Sequence, residues 1–270
     1  MTKAIFFDID GTLLDINGGL SSLTDRVKND LNQLKRAGNY LFIATGRPYA
    51  FLPQEILNFG FDGFVVLNGA LVIVDDKIIF RHTINPAAVK KICDYAASEN
   101  IEYILESHPN VYFQRDAKAV EIFFRKIRVD YSNFVRDFEI ENVETFKIEC
   151  VTFRKDVENL DKVYKKILAT EGFSGWSDPF RFKSLEVSSD KISKADGVIN
   201  ALKFLNINIE NSYAFGDGYN DIEMISRVGT GIAMGTAGED LKRAAKFVVP
   251  SVHEDGVAVG IEKYILATSN

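Results

Sequence analysis

Ala4-Ile5-Phe6-Phe7-Asp8-Ile9-Asp10-Gly11-Thr12 is the stretch on which the reading of this chain turns. An apolar run meets two carboxylates, one residue apart, then a glycine and a hydroxyl. In a strand, alternate side chains share a face, so Asp8 and Asp10 emerge together. Gly11 lets the backbone turn where a side chain would be strained. Two acids at the carboxyl end of a buried strand are costly to desolvate unless something offsets them. A hard cation, which takes oxygen ligands, is the obvious candidate. The plainer reading is an Asp-Gly turn that Asp10 merely initiates.

The rest of the composition narrows the class. The chain has 270 residues, 46% hydrophobic and 26% charged, which is ordinary for a globular protein. That length suits one large domain or two modest ones. A net charge of −6 argues against nucleic acid as a partner. No apolar run approaches the roughly 20 residues of a membrane span, so no membrane association is expected. Asp8 and Asp10 interrupt the N-terminal apolar stretch, so no signal peptide is expected either. Cys93 and Cys150 are too few for a disulfide framework or a zinc site and read as reduced core thiols. The expected setting is cytoplasmic, and the expected state is a monomer or weak homo-oligomer.

Outward from the first strand, Lys3–Asp8, strands and helices alternate. The apolar pattern predicts a helix over Ser22–Ala37, a strand over Tyr40–Ala44, a helix around Tyr49–Phe59 and a strand over Gly63–Leu67. A hairpin follows, with Leu71–Val74 and Lys77–Phe80 flanking Asp75-Asp76. Alternation resumes near the C-terminus: helix Lys194–Leu205, strand Ser212–Phe215, helix Asp221–Ser226, strand Gly231–Met234, helix Glu239–Ala245, strand Phe247–Val249 and a final helix. This pattern predicts an α/β fold, a doubly wound, Rossmann-like parallel sheet. The middle differs. It reads as helix Pro86–Ser98, hairpin Glu102–Glu106 with Val111–Gln114, strand Phe146–Phe153, helix Val157–Thr170 and strand Phe182–Val187. We expect an inserted mixed α/β cap domain over 83–188, between core halves 1–82 and 189–270.

Three further segments each lie just past the carboxyl end of a predicted core strand, where open α/β sheets build ligand sites. Thr45-Gly46-Arg47 offers a hydroxyl and backbone amides at a helix start, an anion site or a plain capped turn. Lys194 falls in the first turn of a helix capped by Ser193, against the helix dipole. That placement suits a lysine held for an anion; a solvated surface lysine is the alternative, and Lys191 is a rival for the role. Gly216-Asp217-Gly218-Tyr219-Asn220-Asp221 ends an apolar strand with two acids four residues apart. It is either a polar loop or the completion of the cation site, with Asp217 as ligand and Asp221 supporting it. Acids for a metal, donors for an anion and one lysine together form the inventory for phosphoryl transfer.

In order and spacing these segments resemble the motifs of the haloacid dehalogenase superfamily. Asp8-Ile9-Asp10-Gly11-Thr12 is similar to its first motif, Thr45-Gly46-Arg47 to its second, Lys194 to its third and Gly216–Asp221 to its fourth. The insert resembles the α/β cap of the Cof-type phosphatases. Leu67-Asn68-Gly69-Ala70, Ile232-Ala233-Met234-Gly235 and Glu254-Asp255-Gly256-Val257-Ala258 extend the likeness to nearly the whole chain.

The resemblance implies a phosphatase for small phosphorylated metabolites, sugar phosphates or similar compounds. Asp8 would be the nucleophile and form an aspartyl-phosphate. Asp10 would serve as acid and then as base. Mg²⁺ would be held by Asp8, the Asp10 backbone carbonyl and Asp217, with Asp221 behind them. The backbone amides of Ile9 and Gly46, together with Thr45, Lys194 and Asn220, would bind the phosphoryl oxygens. Arg47 and Asn68 are candidate substrate contacts, and the basic, aromatic stretch Arg115–Arg136 is either a second anion site or a solvated face. A phosphomutase and a non-catalytic binder of phosphorylated ligands are the competing readings. The presence of both a nucleophile and an acid argues against the binder.

Overall fold

Apolar runs punctuated by glycine, proline and capping residues become strands and helices in the predicted alternation. A computed structural model describes residues 1–153, 157–170, 172–178 and 184–267. The chain divides into two units. One comprises Met1–Gly46, Leu52–Arg81 and the chain from Ser193 onward; the other comprises Arg47–Phe51 and His82–Ile192.

The first unit is built from β1 (Ala4–Phe7), α1 (Asp25–Arg36), β2 (Tyr40–Ala44), α2 (Gln54–Phe59), β3 (Gly63–Val66), β4 (Leu71–Val74) and β5 (Lys77–Arg81). The inserted unit supplies α3 (Pro86–Ser98), β6 (Glu102–Glu106), β7 (Val111–Phe113), α4 (Lys118–Lys126), β8 (Lys147–Val151), α5 (Val157–Leu168), β9 (Phe173–Asp178) and β10 (Ser184–Ser189). The first unit then resumes with α6 (Lys194–Leu205), β11 (Ser212–Gly216), α7 (Ile222–Arg227), β12 (Thr230–Ala233), α8 (Glu239–Ala244), β13 (Phe247–Val248) and α9 (Gly256–Ile261).

The first unit holds an eight-stranded sheet in the order β13-β12-β11-β1-β2-β3-β4-β5. Its strands are parallel from β13 to β3, and β4 and β5 add the expected antiparallel hairpin at one edge. β1 pairs with β2 on one side and β11 on the other. The chain therefore winds away from β1 in both directions, and the carboxyl ends of β1 and β11 form the switch point where such sheets open a crevice. Ala4–Phe7 is wholly buried. Phe6 packs on Phe42 with ring centroids 5.0 Å apart, and Phe7 stacks on Phe215 at 5.2 Å. Those contacts clamp the central strands, and residues just beyond them inherit that rigidity. Helix α1 buries Val27, Leu31 and Leu34, is capped by Thr24, and carries Asp25 in its first turn and Lys35 and Arg36 in its last, as the helix dipole favours.

The inserted unit is a five-stranded antiparallel sheet, β7-β6-β8-β10-β9. One face carries Leu105, Ile148, Cys150, Leu185 and Val187 into a core with Val89 and Cys93 of α3 and Leu160 and Val163 of α5. Both cysteines are buried and free. Other sheet residues join Val120 and Phe124 of α4 and Phe51 in a second apolar cluster.

Several details depart from the sequence reading. The single helix expected around Tyr49–Phe59 is a 3-10 turn, Tyr49–Phe51, followed by α2. Pro53 separates them, because proline disfavours helical backbone before it and cannot donate a helical hydrogen bond. The segment Arg47–Phe51 groups with the insert, where the expected boundaries assigned it to the core. The Phe51 ring packs on Phe124 and Phe134 at 5.6 and 5.7 Å. The strand expected over Phe182–Val187 runs from Ser184 to Ser189, and Phe182 and Lys183 lie outside the described residues.

Candidate active site

The site grows from the end of β1. Asp8 follows the strand directly, with its backbone N–H donating to the Phe215 carbonyl at 3.0 Å. Its side chain is buried, whereas Asp10 is exposed. Gly11 sits at φ +84°, and a methyl group there would lie 2.2 Å from Asp217 Oδ2. Glycine is thus required twice, for the left-handed turn and for the close approach of Asp217. The Thr12 hydroxyl donates to Asp217 Oδ1 at 3.1 Å. Thr12 follows Gly11 directly, yet its pairing depends on where β11 ends and carries no local signal.

Lys194 resolves the ambiguity between buried anchor and surface lysine. It is 1% exposed, whereas Lys191 is exposed. Lys194 Nζ donates to Asp8 Oδ1 at 2.7 Å and to Asp221 Oδ1 at 2.6 Å. Its helix starts where expected, with Ser193 as the capping residue linked to Asp196. The turn Leu67–Gly69 fixes that helix start. Gly69 sits at φ +92°, and a methyl group there would meet the Ser193 carbonyl oxygen at 2.0 Å. No larger residue lets the turn reach the helix end.

Asp221 is fully buried. One oxygen accepts from Lys194, and Oδ2 accepts from the backbone N–H groups of Asp217 and Gly218 at 3.1 and 2.9 Å. Asp221 therefore fixes both the lysine and the loop bearing Asp217. Nearby, Thr45 is buried, and its carbonyl accepts from the Asn68 N–H at 3.2 Å. The Asn220 amide donates to Asn68 Oδ1 at 2.9 Å. A methyl group on Gly46 would lie 2.9 Å from Asn68 Oδ1 and 3.4 Å from Asn220 Nδ2. Gly46, Asn68 and Asn220 thus converge. Arg47 belongs to the inserted unit, where its guanidinium donates to the Phe51 carbonyl at 3.1 Å.

The charges do not balance. Asp8, Asp217 and Asp221 bring one carboxylate oxygen each within 4.8 Å of one another, against the single ammonium of Lys194. Burial, followed by the neighbouring Asp221 and Asp217, pushes the Asp8 carboxyl well above its ordinary range against the pull of Lys194. Burial, then Asp221, pushes Asp217 up to about 6. Burial opposes the charge on Lys194, but Asp221 and Asp8 outweigh it and raise its pKa. An excess of buried negative charge among oxygen donors fits a hard divalent cation. The donor set therefore suits the expected metal, with the Asp10 carboxylate outside the cluster.

The stretch Arg115–Arg136 reads more plainly in three dimensions. Arg115 pairs with Asp137, and Arg136 pairs with Glu121 at 3.2 Å while its guanidinium lies over the Phe113 ring at 4.8 Å. Arg125 donates to the Tyr131 hydroxyl at 3.1 Å. These three cations are engaged with neighbours in their own unit.

The haloacid dehalogenase-like hydrolase family matches residues 5–261. The chain belongs to this family. It is 29% identical to YkrA of Bacillus subtilis (strain 168) over 275 residues, which covers 97% of each chain. It is 28% identical, over 96% of each chain, to YitU of the same organism, a 5-amino-6-(5-phospho-D-ribitylamino)uracil phosphatase. Among solved structures, the subclass IIB sugar phosphatase BT4131 superposes with a TM-score of 0.80 at 28% identity, covering 97% of this chain and 99% of the other. The chain is accordingly an enzyme, a hydrolase of the haloacid dehalogenase superfamily with Cof-type, capped relatives. Among the described residues no helix is long and apolar enough to cross a membrane.

Proposed function

We propose that this hydrolase is a Mg²⁺-dependent phosphatase that cleaves small phosphate monoesters by transient phosphorylation of Asp8. The observation that carries the reading is the buried contact of Lys194 with both Asp8 and Asp221 beside Asp217. That contact fixes a carboxylate at the switch point of the sheet, in surroundings with an excess of negative charge.

The residues would divide the work as follows. An Asp8 carboxylate oxygen attacks the phosphorus in line; the phosphorus–ester oxygen bond breaks and an aspartyl-phosphate remains. Asp10, exposed beside it, gives its proton to the departing alkoxide. It then takes a proton from the water that attacks the aspartyl-phosphate and releases inorganic phosphate. Thr45, the amides of Ile9 and Gly46, Lys194 and Asn220 hold the phosphoryl oxygens. Lys194 also fixes the Asp8 carboxylate, and Asp221 positions Lys194 and the Asp217 loop. The Asp8 and Asp217 carboxylates and the Asp10 carbonyl would hold Mg²⁺, which when bound would neutralise the carboxylates and the charge on the phosphoryl oxygens. Asn68 and Arg47 would meet the substrate.

The substrate is a phosphate ester of a sugar or related polyol, selected by the inserted unit acting as a cap. Two relatives support this class: one is named a sugar phosphatase, and the other acts on a phosphorylated ribityl chain. The buried free thiols suit a reducing, cytoplasmic setting.

The test is phosphate release from a panel of monoesters, with Mg²⁺ and then with excess chelator, in wild type and Asp8→Asn. Release from polyol phosphates that needs the metal and disappears in Asp8→Asn is expected. Release that survives either chelation or the substitution would refute the mechanism.

A further inference from the structure

Glu254-Asp255-Gly256-Val257-Ala258 has no role in the phosphatase reaction. Its first residues form a tight turn. Ser251 and Glu254 close it, with the Ser251 hydroxyl donating to Glu254 Oε2 at 2.6 Å and the Ser251 N–H to the same oxygen at 3.2 Å. Asp255 follows in the left-handed region at φ +54°, where aspartate and asparagine are tolerated better than most residues.

Two side-chain bonds join this turn to the loop that carries Asp10. The Thr24 hydroxyl, which caps α1, donates to Asp255 Oδ1 at 2.7 Å. His253 Nε2 donates to Asp15 Oδ2 at 3.0 Å, while Asp15 Oδ1 accepts from the Gly18 N–H at 2.8 Å. The backbone carries the link onward. Asp15 and Leu20 exchange both hydrogen bonds at 2.9 and 2.8 Å, and the Gly11 N–H donates to the Leu14 carbonyl at 2.7 Å. Asp10 stands between Asp8, anchored by β1, and a loop tied at Asp15 and Thr24 to one external turn.

We propose that the turn 251–256 is a bracket that positions Asp10, with His253 and Asp255 as positioning residues for proton transfer to the leaving group. The proposal rests on the role assigned to Asp10. Neither bond involves a residue assigned to the reaction. Both restrict where the exposed Asp10 carboxylate sits relative to the rigid Asp8, and proton transfer is sensitive to that distance.

The experiment follows leaving-group release in a single turnover, before the aspartyl-phosphate is hydrolysed, on two substrates with Mg²⁺ present at one pH. An aryl phosphate loses a phenolate that needs little protonation, whereas an alkyl phosphate loses an alkoxide that needs a proton. His253→Ala and Asp255→Ala are expected to slow this release about tenfold on the alkyl phosphate and less than about twofold on the aryl phosphate. His253→Gln, which keeps a donor, and Asp255→Asn, which keeps the acceptor and the left-handed preference, are expected to restore most of it. If Asp255→Ala does not fold, His253→Ala carries the test, because an exposed pair contributes little to stability. Asp10→Asn is the reference and is expected to slow leaving-group release selectively on the alkyl phosphate, while hydrolysis of the aspartyl-phosphate, common to both substrates, is lost on each. Equal slowing of leaving-group release on both substrates in Asp10→Asn would overturn the role of Asp10 as acid, and the bracket with it. Selective loss in Asp10→Asn, but uniform or absent loss in the bracket variants, would overturn the bracket alone.

Discussion

Lys194 is the residue on which the site balances. It meets two buried carboxylates, and removing one partner from such a cluster strands charge in a poorly solvated place. Lys194→Met is expected to cost about 3–5 kcal/mol of stability, read by urea unfolding, besides abolishing turnover. Asp8→Asn acts in the opposite sense. It leaves Lys194 paired one to one with Asp221 and removes a carboxylate whose ionisation burial already opposes. Turnover is expected to fall by about a thousandfold or more, while the metal-free protein gains about 1–2 kcal/mol. An Asp8→Asn variant less stable than wild type would contradict this charge count. At this scale the sequence was informative where chemistry and position coincide. Asp8, Asp10 and Asp217 stand at strand ends beside glycines, so their types and places are legible together. The burial of Asp221 and the Thr12–Asp217 bond were not, because each depends on how separate elements meet in space.

Among the elements, the inserted sheet carries its own charge problem. Register places Glu106 of β6 opposite Lys147 of β8, and Glu186 of β10 opposite Glu149 of β8. Lys147 Nζ lies 3.1 Å from carboxylate oxygens of both Glu106 and Glu186. Burial pushes Glu106 up to about 7 and Glu149 well above its ordinary range. Between about 4.5 and about 7, the folded state holds a proton on Glu106 that the unfolded chain has released. Stability therefore falls as pH rises through that window. The loss is expected to reach about 3 kcal/mol at most for Glu106. Trp176, the chain's single tryptophan, lies in β9, so its fluorescence during urea unfolding at pH 5 and pH 8 follows this unit. Glu106→Gln should flatten the slope, and an unchanged slope would contradict the assignment. The two elements that hydrophobic patterning missed lie in this unit as well. β9 reads Phe-Ser-Gly-Trp-Ser-Asp, too rich in small and polar residues to show strand alternation. α4 lies in a stretch whose basic residues mask the apolar face of Ala119, Val120 and Phe124.

For the whole molecule, alternation in the sequence pointed to a doubly wound sheet, and the order β13-β12-β11-β1-β2-β3-β4-β5 realises it. The strand order itself was not legible, because parallel pairing joins segments as far apart as Ala4 and Ser212 with no local mark of partnership. That pairing brings the acids of β1 and β11 together and creates the negative excess. A divalent cation is therefore expected to stabilise the fold by mass action, by about 2.7 kcal/mol at a hundred times its dissociation constant. A saturable rise in melting temperature on adding Mg²⁺ to chelator-treated protein checks this. Asp217→Asn should abolish the rise, and a rise that persists in that variant would place the ion elsewhere.

Transient phosphorylation of Asp8 is open to peptide mass mapping. Asp10→Asn, mixed with Mg²⁺ and an aryl phosphate and quenched in acid, should accumulate one phosphoryl group on the peptide containing Asp8, because the base that activates the second water is gone. Phosphate release with Asp8 unmodified, or a phosphoryl group found on another residue, would show that Asp8 is not the nucleophile.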